Sequence, residues 1–162
     1  MPATRAPLEP SDWDQVQKVA NSFKTALKTA PHADLEHFLP TQGRVRPWAL
    51  VELVKIELAY RWEHGRGLLL DHYLEKFPDL GPAKELPAAL VYEEYRLRHL
   101  YGDSPPLTTY KARFPEQFAE LQRLAREQPV TGHEPTAAPH GPPFVFPAAS
   151  QSVQSQASSP ST

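Results

Sequence analysis

The sequence predicts an all-α domain: a small bundle of two long-helix/short-helix repeats of about 37 residues, with an extra N-terminal helix before them and a disordered tail after them. Residues 53–78 (repeat 1) match residues 90–115 (repeat 2) without a gap, at an offset of 37 positions. The matched pairs are Leu53/Leu90, Val54/Val91, Glu57/Glu94, Arg61/Arg98, Gly65/Gly102, Leu70/Leu107, Tyr73/Tyr110, Phe77/Phe114 and Pro78/Pro115. Such a repeat typically forms one supersecondary unit that buries its apolar face on the next copy. Apolar residues recur at helical spacing, and no stretch alternates over five positions as a strand would.

Composition narrows the class of protein. The chain has 162 residues, of which 40% are hydrophobic and 22% are charged, and its net charge is −2. This near-neutral balance gives no strong field for nucleic acid or an anionic membrane. The absence of cysteine excludes disulfides, thiolate catalysis and zinc–thiolate sites. No apolar run has the length of a signal peptide or a membrane span, so we expect a soluble cytoplasmic protein.

The helical domain is predicted to cover residues 11–127, after a flexible N-terminus at residues 1–10. Ser11, with Asp14 three residues later, indicates a helix N-cap. The first helix then carries one apolar face, formed by Trp13, Val16, Ala20, Phe23 and Leu27. Pro31 ends this helix, and a short helical turn is predicted from Asp34 to Leu39.

Repeat 1 and its flanks predict a long and a short helix. Pro47 suits the first helical position, because its missing N–H costs nothing there. The helix to Trp62 is apolar on most of its circumference, which is typical of a central helix. Gly65 is predicted to end it in the left-handed conformation. The short helix carries Leu70, Tyr73 and Phe77, and Pro78 stops it.

The second copy predicts the same pair of helices. The long helix extends from Leu86 to Tyr101 and is ended by Gly102. The short helix carries Leu107, Tyr110 and Phe114. Pro115 then opens a last helix, whose apolar residues are Phe118, Leu121, Leu124 and Ala125.

Residues 128–162 are predicted to be a disordered tail or linker. They contain seven prolines and one charged residue, Glu134, and too little apolar surface to offset the entropy of ordering. The triplet Phe144-Val145-Phe146 is the exception, so Phe144 and Phe146 are candidate partner-binding residues. An incidental apolar cluster in a linker is the alternative.

No repeated residue predicts a catalytic, cofactor or metal site. Glu57/Arg61 and Glu94/Arg98 lie four positions apart, and we interpret each as a helix-stabilising pair or as a pair bonding the neighbouring repeat's loop. Half of a binding face is the alternative. The repeated tyrosines and phenylalanines are expected in the core, because base-stacking platforms need a basic groove beside them. No two histidines have the i, i+4 spacing of a zinc-protease helix.

The repeat resembles a helical region that precedes the catalytic domain in many planctomycete-type bacterial serine/threonine protein kinases. The resemblance rests on LVKIELAYRWEHG, LDHYLEKFPDL, LVYEEYRLRHLYGD and PPLTTYKARFP, and it covers about residues 11–127. It implies a kinase-associated accessory module. The kinase motifs themselves are missing: Gly65-Arg66-Gly67 lacks the third glycine of a phosphate loop, and neither His-Arg-Asp nor Asp-Phe-Gly occurs.

The sequence therefore favours a non-catalytic interaction or regulatory module that docks a protein partner or a kinase domain, in cis or in trans. Arg98 and Tyr101 are the candidate anchors on the helical domain, because arginine and aromatic residues dominate interface energetics. One alternative is a fragment of a complete serine/threonine kinase. Another is a DNA-binding transcription or sigma-type adaptor, against which the near-neutral charge argues. No cofactor, metal, nucleic acid or membrane partner is expected.

Overall fold

A computed structural model describes residues 7–130, and within that range it contains α-helices and 3₁₀ turns but no strand. The α-helices are α1 (Pro10–Thr29), α2 (Arg46–Glu63), α3 (Leu70–Lys76), α4 (Ala88–Tyr101), α5 (Thr108–Arg113) and α6 (Phe118–Glu127). The 3₁₀ turns are Leu35–His37, Pro78–Leu80 and Ala83–Glu85. The all-α prediction is confirmed. The predictions for the N-terminal segment to residue 6 and for the tail from residue 131 lie outside the described residues.

The long helices form a row in which α1 packs on α2, α2 on α4, and α4 on α6. Trp13 and Trp48 meet near the N-terminal ends of α1 and α2, with 5.6 Å between their ring centroids. Trp62, at the C-terminal end of α2, lies against Gly102, which follows the end of α4. Helices α1, α2 and α4 therefore run in the same direction, and the short elements between them return the chain.

The central helix of the row is α2, as its apolar circumference predicts. Its buried residues are Ala49, Leu50, Val51, Leu53, Val54 and Leu58. Matched positions of the two repeats are buried together in one cluster, including Leu53/Leu90, Val54/Val91, Tyr73/Tyr110 and Phe77/Phe114. The two repeats thus share one hydrophobic core and are not two separately packed units.

Four predicted helix starts are wrong by one to three residues, and one of them is that of α4, which begins at Ala88 and not at Leu86. Helix α1 is capped by Glu9, not Ser11, and Asp12 Oδ2 accepts the Glu9 N–H at 3.1 Å. Helix α2 begins one residue before Pro47. Helix α6 begins at Phe118, and the side chain of the preceding Gln117 is buried, where its Nε2 donates to the carbonyls of Ala83 and Leu86 at 2.8 and 3.0 Å.

The repeated glycine serves a different purpose in each copy. Gly65 has φ of +70°, and the N–H of Arg66 donates to the carbonyl of Arg61 at 2.8 Å, which closes a Schellman motif. Gly102 has φ of −135°, a value open to any residue. A Cβ on Gly102, however, would lie 2.5 Å from Trp62 Cζ3. The second glycine is therefore needed for close packing and not for its backbone conformation.

We expect Gly102→Ala to lower the free energy of unfolding by about 1–3 kcal/mol, the usual cost of overpacking. The cost should nearly vanish in a Trp62→Leu background, because the clash is with the indole ring. Urea denaturation of the two single variants and the double variant gives this coupling. Gly65→Ala is the control: its cost, about 1–2 kcal/mol from left-handed strain, should be the same in both backgrounds. An equal cost of Gly102→Ala in both backgrounds would contradict the packing argument.

Candidate interaction site

Repeat 2 contains a buried charge network around Glu94, which is 0% exposed. Glu94 Oε1 accepts from the Tyr110 hydroxyl at 2.9 Å and from Arg113 Nη1 at 2.5 Å. Its Oε2 accepts the backbone N–H of Leu70 at 2.7 Å. Since Leu70 belongs to repeat 1, the carboxylate joins the two repeats, as one interpretation of the Glu–Arg pairs anticipated.

Two arginines neutralise this carboxylate, and each has a second acidic partner. Arg98 lies 3.6 Å from Glu94 Oε1 and bonds Asp103 at 2.8 and 2.5 Å. Arg113 bonds Glu94 and also Asp71 of α3 at 2.5 Å. Burial alone would lower the pKa of Arg113, but its bonds to Glu94 and Asp71 raise it above the usual value. Each guanidinium group is therefore held as a cation between two carboxylates.

Arg98 is therefore not the exposed anchor that we expected from the sequence. The residue is 8% exposed, and its guanidinium is held by Asp103, by Glu94 and by the Tyr110 hydroxyl at 3.4 Å. Tyr101 is 50% exposed and remains available to a partner. Phe144 and Phe146 lie outside the described residues.

The equivalent network in repeat 1 is more open. Arg61 Nη2 donates to Glu57 at 2.9 Å, and the Arg61 side chain is 37% exposed, against 10% for Arg98. The Tyr73 hydroxyl is buried against this pair without a hydrogen bond of good geometry, and Arg61 Nε is likewise buried and unpartnered. Burial, reinforced by the Glu57 carboxylate, raises the pKa of Tyr73. The two copies thus share positions but not the completeness of their bonding.

Beside Arg61 lies a polar cleft of 210 Å³, which we call the Arg61 cleft. Its charged lining residues are Asp34, Glu57, Arg61, Arg66 and Lys76. Leu27, Pro31, His32, Ala33 and Tyr60 complete the lining. The Lys76 ammonium lies 3.7 Å from Asp34, so this pair links α3 to the segment before the Leu35–His37 turn.

A larger groove of 720 Å³, the α2 groove, follows the outer face of α2 between α1 and α4. Leu27, Ile56, Ala59 and Tyr60 supply its apolar surface. Its other lining residues are Lys24, Lys28, Glu52, Lys55, Glu63, His64 and Glu93. The part of α2 that lines the groove extends from residue 52 to 63, about 17 Å at 1.5 Å per residue. This length matches about three turns of a docked helix.

The α2 groove was not predicted from the sequence, because Ile56 and Tyr60 were interpreted as further apolar positions of a central helix. They are only partly buried, since α1 and α4 leave one stripe of α2 uncovered.

Arg113 and Asp71 were likewise not predicted from the sequence as members of the charge network. A weak signal existed for both: at the offset of 37 positions Arg113 matches Lys76, and Asp71 matches Asp34.

The fold and the two surface depressions define a class of protein, a helical repeat domain with an open groove on its central helix. Comparisons with protein-family models, with curated proteins and with solved structures found no match to this chain.

Among residues 7–130, no three His, Asp or Glu side chains come together as metal ligands would. No helix in the same range has both the length and the apolar character needed to cross a membrane.

Proposed function

We propose that this chain is a non-catalytic interaction module that docks a protein partner through the α2 groove. The observation that carries the proposal is the half-buried apolar stripe of Ile56, Ala59 and Tyr60, which lies on the side of α2 away from its fully buried core residues. A groove with an apolar floor and charged rims suits an amphipathic helix, which lays its apolar side into the groove. Repeat proteins commonly bind partners along such extended surfaces.

The resemblance noted in the sequence makes a serine/threonine kinase domain the partner class that we propose. The chain would act by binding and positioning its partner. The Glu94 network joins the two repeats, so we assign it no contact with the partner. A specific complex of this kind buries on the order of 1,200–2,000 Å² in total. The α2 groove would supply the centre of that area, with exposed Tyr101 as a further contact at the end of α4.

The test measures binding of the purified full chain to kinase domains encoded in the same genome, by biolayer interferometry. We expect Ile56→Lys to weaken binding at least tenfold, because it places a charge on the apolar floor. Ala119→Lys is the matched control, since Ala119 is exposed on α6 outside the groove. It should change the affinity less than twofold.

Circular dichroism and thermal melting must show that both variants fold. The chain without a kinase is expected to transfer no phosphate from ATP. The docking proposal fails if none of the kinase domains binds, or if Ile56→Lys binds as tightly as the unaltered chain.

A further inference from the structure

The charge network is repeated at five positions with an offset of 37, and only one of the five changes the sign of its charge. The five pairs are Asp34/Asp71, Glu57/Glu94, Arg61/Arg98, Arg66/Asp103 and Lys76/Arg113. In the second set three carboxylates face two cations, which gives a formal charge of −1. In the first set two carboxylates face three cations, which gives +1. The replacement of an aspartate by Arg66 accounts for the whole difference.

That replacement leaves Arg61 without the partner that Arg98 has. Asp103 accepts from both Nε and Nη2 of Arg98, whereas Arg61 bonds Glu57 through Nη2 and has the buried Tyr73 hydroxyl as its other polar neighbour. Arg66 itself is exposed and forms no ion pair with any residue of the described range. Repeat 1 thus presents the guanidinium groups of Arg61 and Arg66 at the place where repeat 2 has the Arg98–Asp103 ion pair.

The space beside these donors is of a size for an anion. The Arg61 cleft has a volume of 210 Å³, and Arg61, Arg66 and Lys76 all line it. A water molecule takes up about 30 Å³ in the liquid, so the cleft is large enough for a phosphate group. A phosphate monoester carries about −1.5 to −2 charge and has three acceptor oxygens, enough for two guanidinium groups and an ammonium. A carboxylate has two oxygens and half the charge.

We propose that the Arg61 cleft binds a phosphate monoester carried by a protein segment that lies in the α2 groove. The segment-borne source follows from continuity, because Leu27 and Tyr60 line both the cleft and the groove. A phosphoserine or phosphothreonine at the end of a docked segment would meet Arg61, Arg66 and Lys76. This inference rests on the proposed function, and it adds that the partner docks in its phosphorylated form.

The test uses fluorescein-labelled nine-residue peptides with a central phosphoserine and randomised flanks, mixed with the full chain. Fluorescence anisotropy should show at least tenfold tighter binding than for the same pool with serine or glutamate in the centre. Arg66→Asp restores the residue type of repeat 2, so it should abolish this preference while leaving the thermal midpoint unchanged or higher. Arg126→Asp, an exposed arginine on α6, should keep the preference.

Equal binding of the phosphoserine and serine pools would overturn the proposal, as would an Arg66→Asp variant that keeps the preference. A glutamate pool that binds as tightly as phosphoserine would also overturn it. Inorganic phosphate that competes at the same concentration as the peptide pool would refute the segment-borne source. Each failure is separable from that of the proposed function, because Ile56 lines the α2 groove and not the Arg61 cleft, whereas Arg66 lines the Arg61 cleft and not the α2 groove.

Discussion

We expect Glu94→Ala to lower the free energy of unfolding by about 3–5 kcal/mol, the usual cost of breaking a buried ion pair from one side. The substitution removes the acceptor for the Tyr110 hydroxyl, the Leu70 N–H and Arg113. It also leaves Arg98 and Arg113 facing each other's positive charge in a largely buried site. Chemical denaturation followed by circular dichroism measures the change.

Glu93→Ala is the matched control, one residue away on the same helix. Glu93 is partly exposed and bonds Arg96 on the surface of α4, so its loss should cost less than about 1 kcal/mol. Glu57→Ala, the repeat 1 counterpart, should fall between the two, because the Glu57–Arg61 pair is more exposed than the Glu94 network. If the free energy of unfolding of Glu94→Ala lies within about 1 kcal/mol of that of the unaltered chain, the network does not hold the repeats together.

Phe77→Ala and Phe114→Ala should each cost about 3–5 kcal/mol, as truncations of buried phenylalanines do. Phe77 is 5% exposed and Phe114 is 1% exposed, and both belong to the same core cluster. Because that core is shared, each variant should still melt in one cooperative transition. Differential scanning calorimetry tests both the magnitude and the number of transitions.

Tyr101→Ala provides the comparison, since half of the Tyr101 side chain is exposed and its removal should change stability by less than about 1 kcal/mol. A neutral Phe77→Ala or Phe114→Ala would mean that the short helix concerned does not pack on the core. Two separate transitions would mean that the repeats are independent units.

Local signals in the sequence were enough for the helices and for most of their ends. Pro31, Pro78 and Gly65 end or bound their elements for reasons of backbone geometry that do not depend on distant residues. The error at α1 has a local cause, since Asp12 bonds Glu9 three residues before it, whereas the error at α6 coincides with a distant contact. The residue before α6, Gln117, bonds the carbonyls of Ala83 and Leu86, more than thirty positions earlier in the chain.

The candidate sites were less predictable than the fold. Arg98 looked like an exposed anchor because a helix position and a residue type do not reveal that Asp103 folds back over the guanidinium. The α2 groove depends on how closely α1 and α4 approach each other over α2, a matter of packing between helices. Neither property has a local signal in the chain.

Periodicity and the backbone preferences of glycine and proline are enough to predict the all-α class, the internal repeat and many of the core residues. Which charges are satisfied and which remain open depends on how the helices pack. Arg61 and Arg98 occupy the same position in the repeat, yet Arg98 is enclosed by Asp103, whereas Arg61 faces a cleft beside Arg66. Such a difference depends on the neighbours that folding brings within a few ångströms, where electrostatic and hydrogen-bond energies are set.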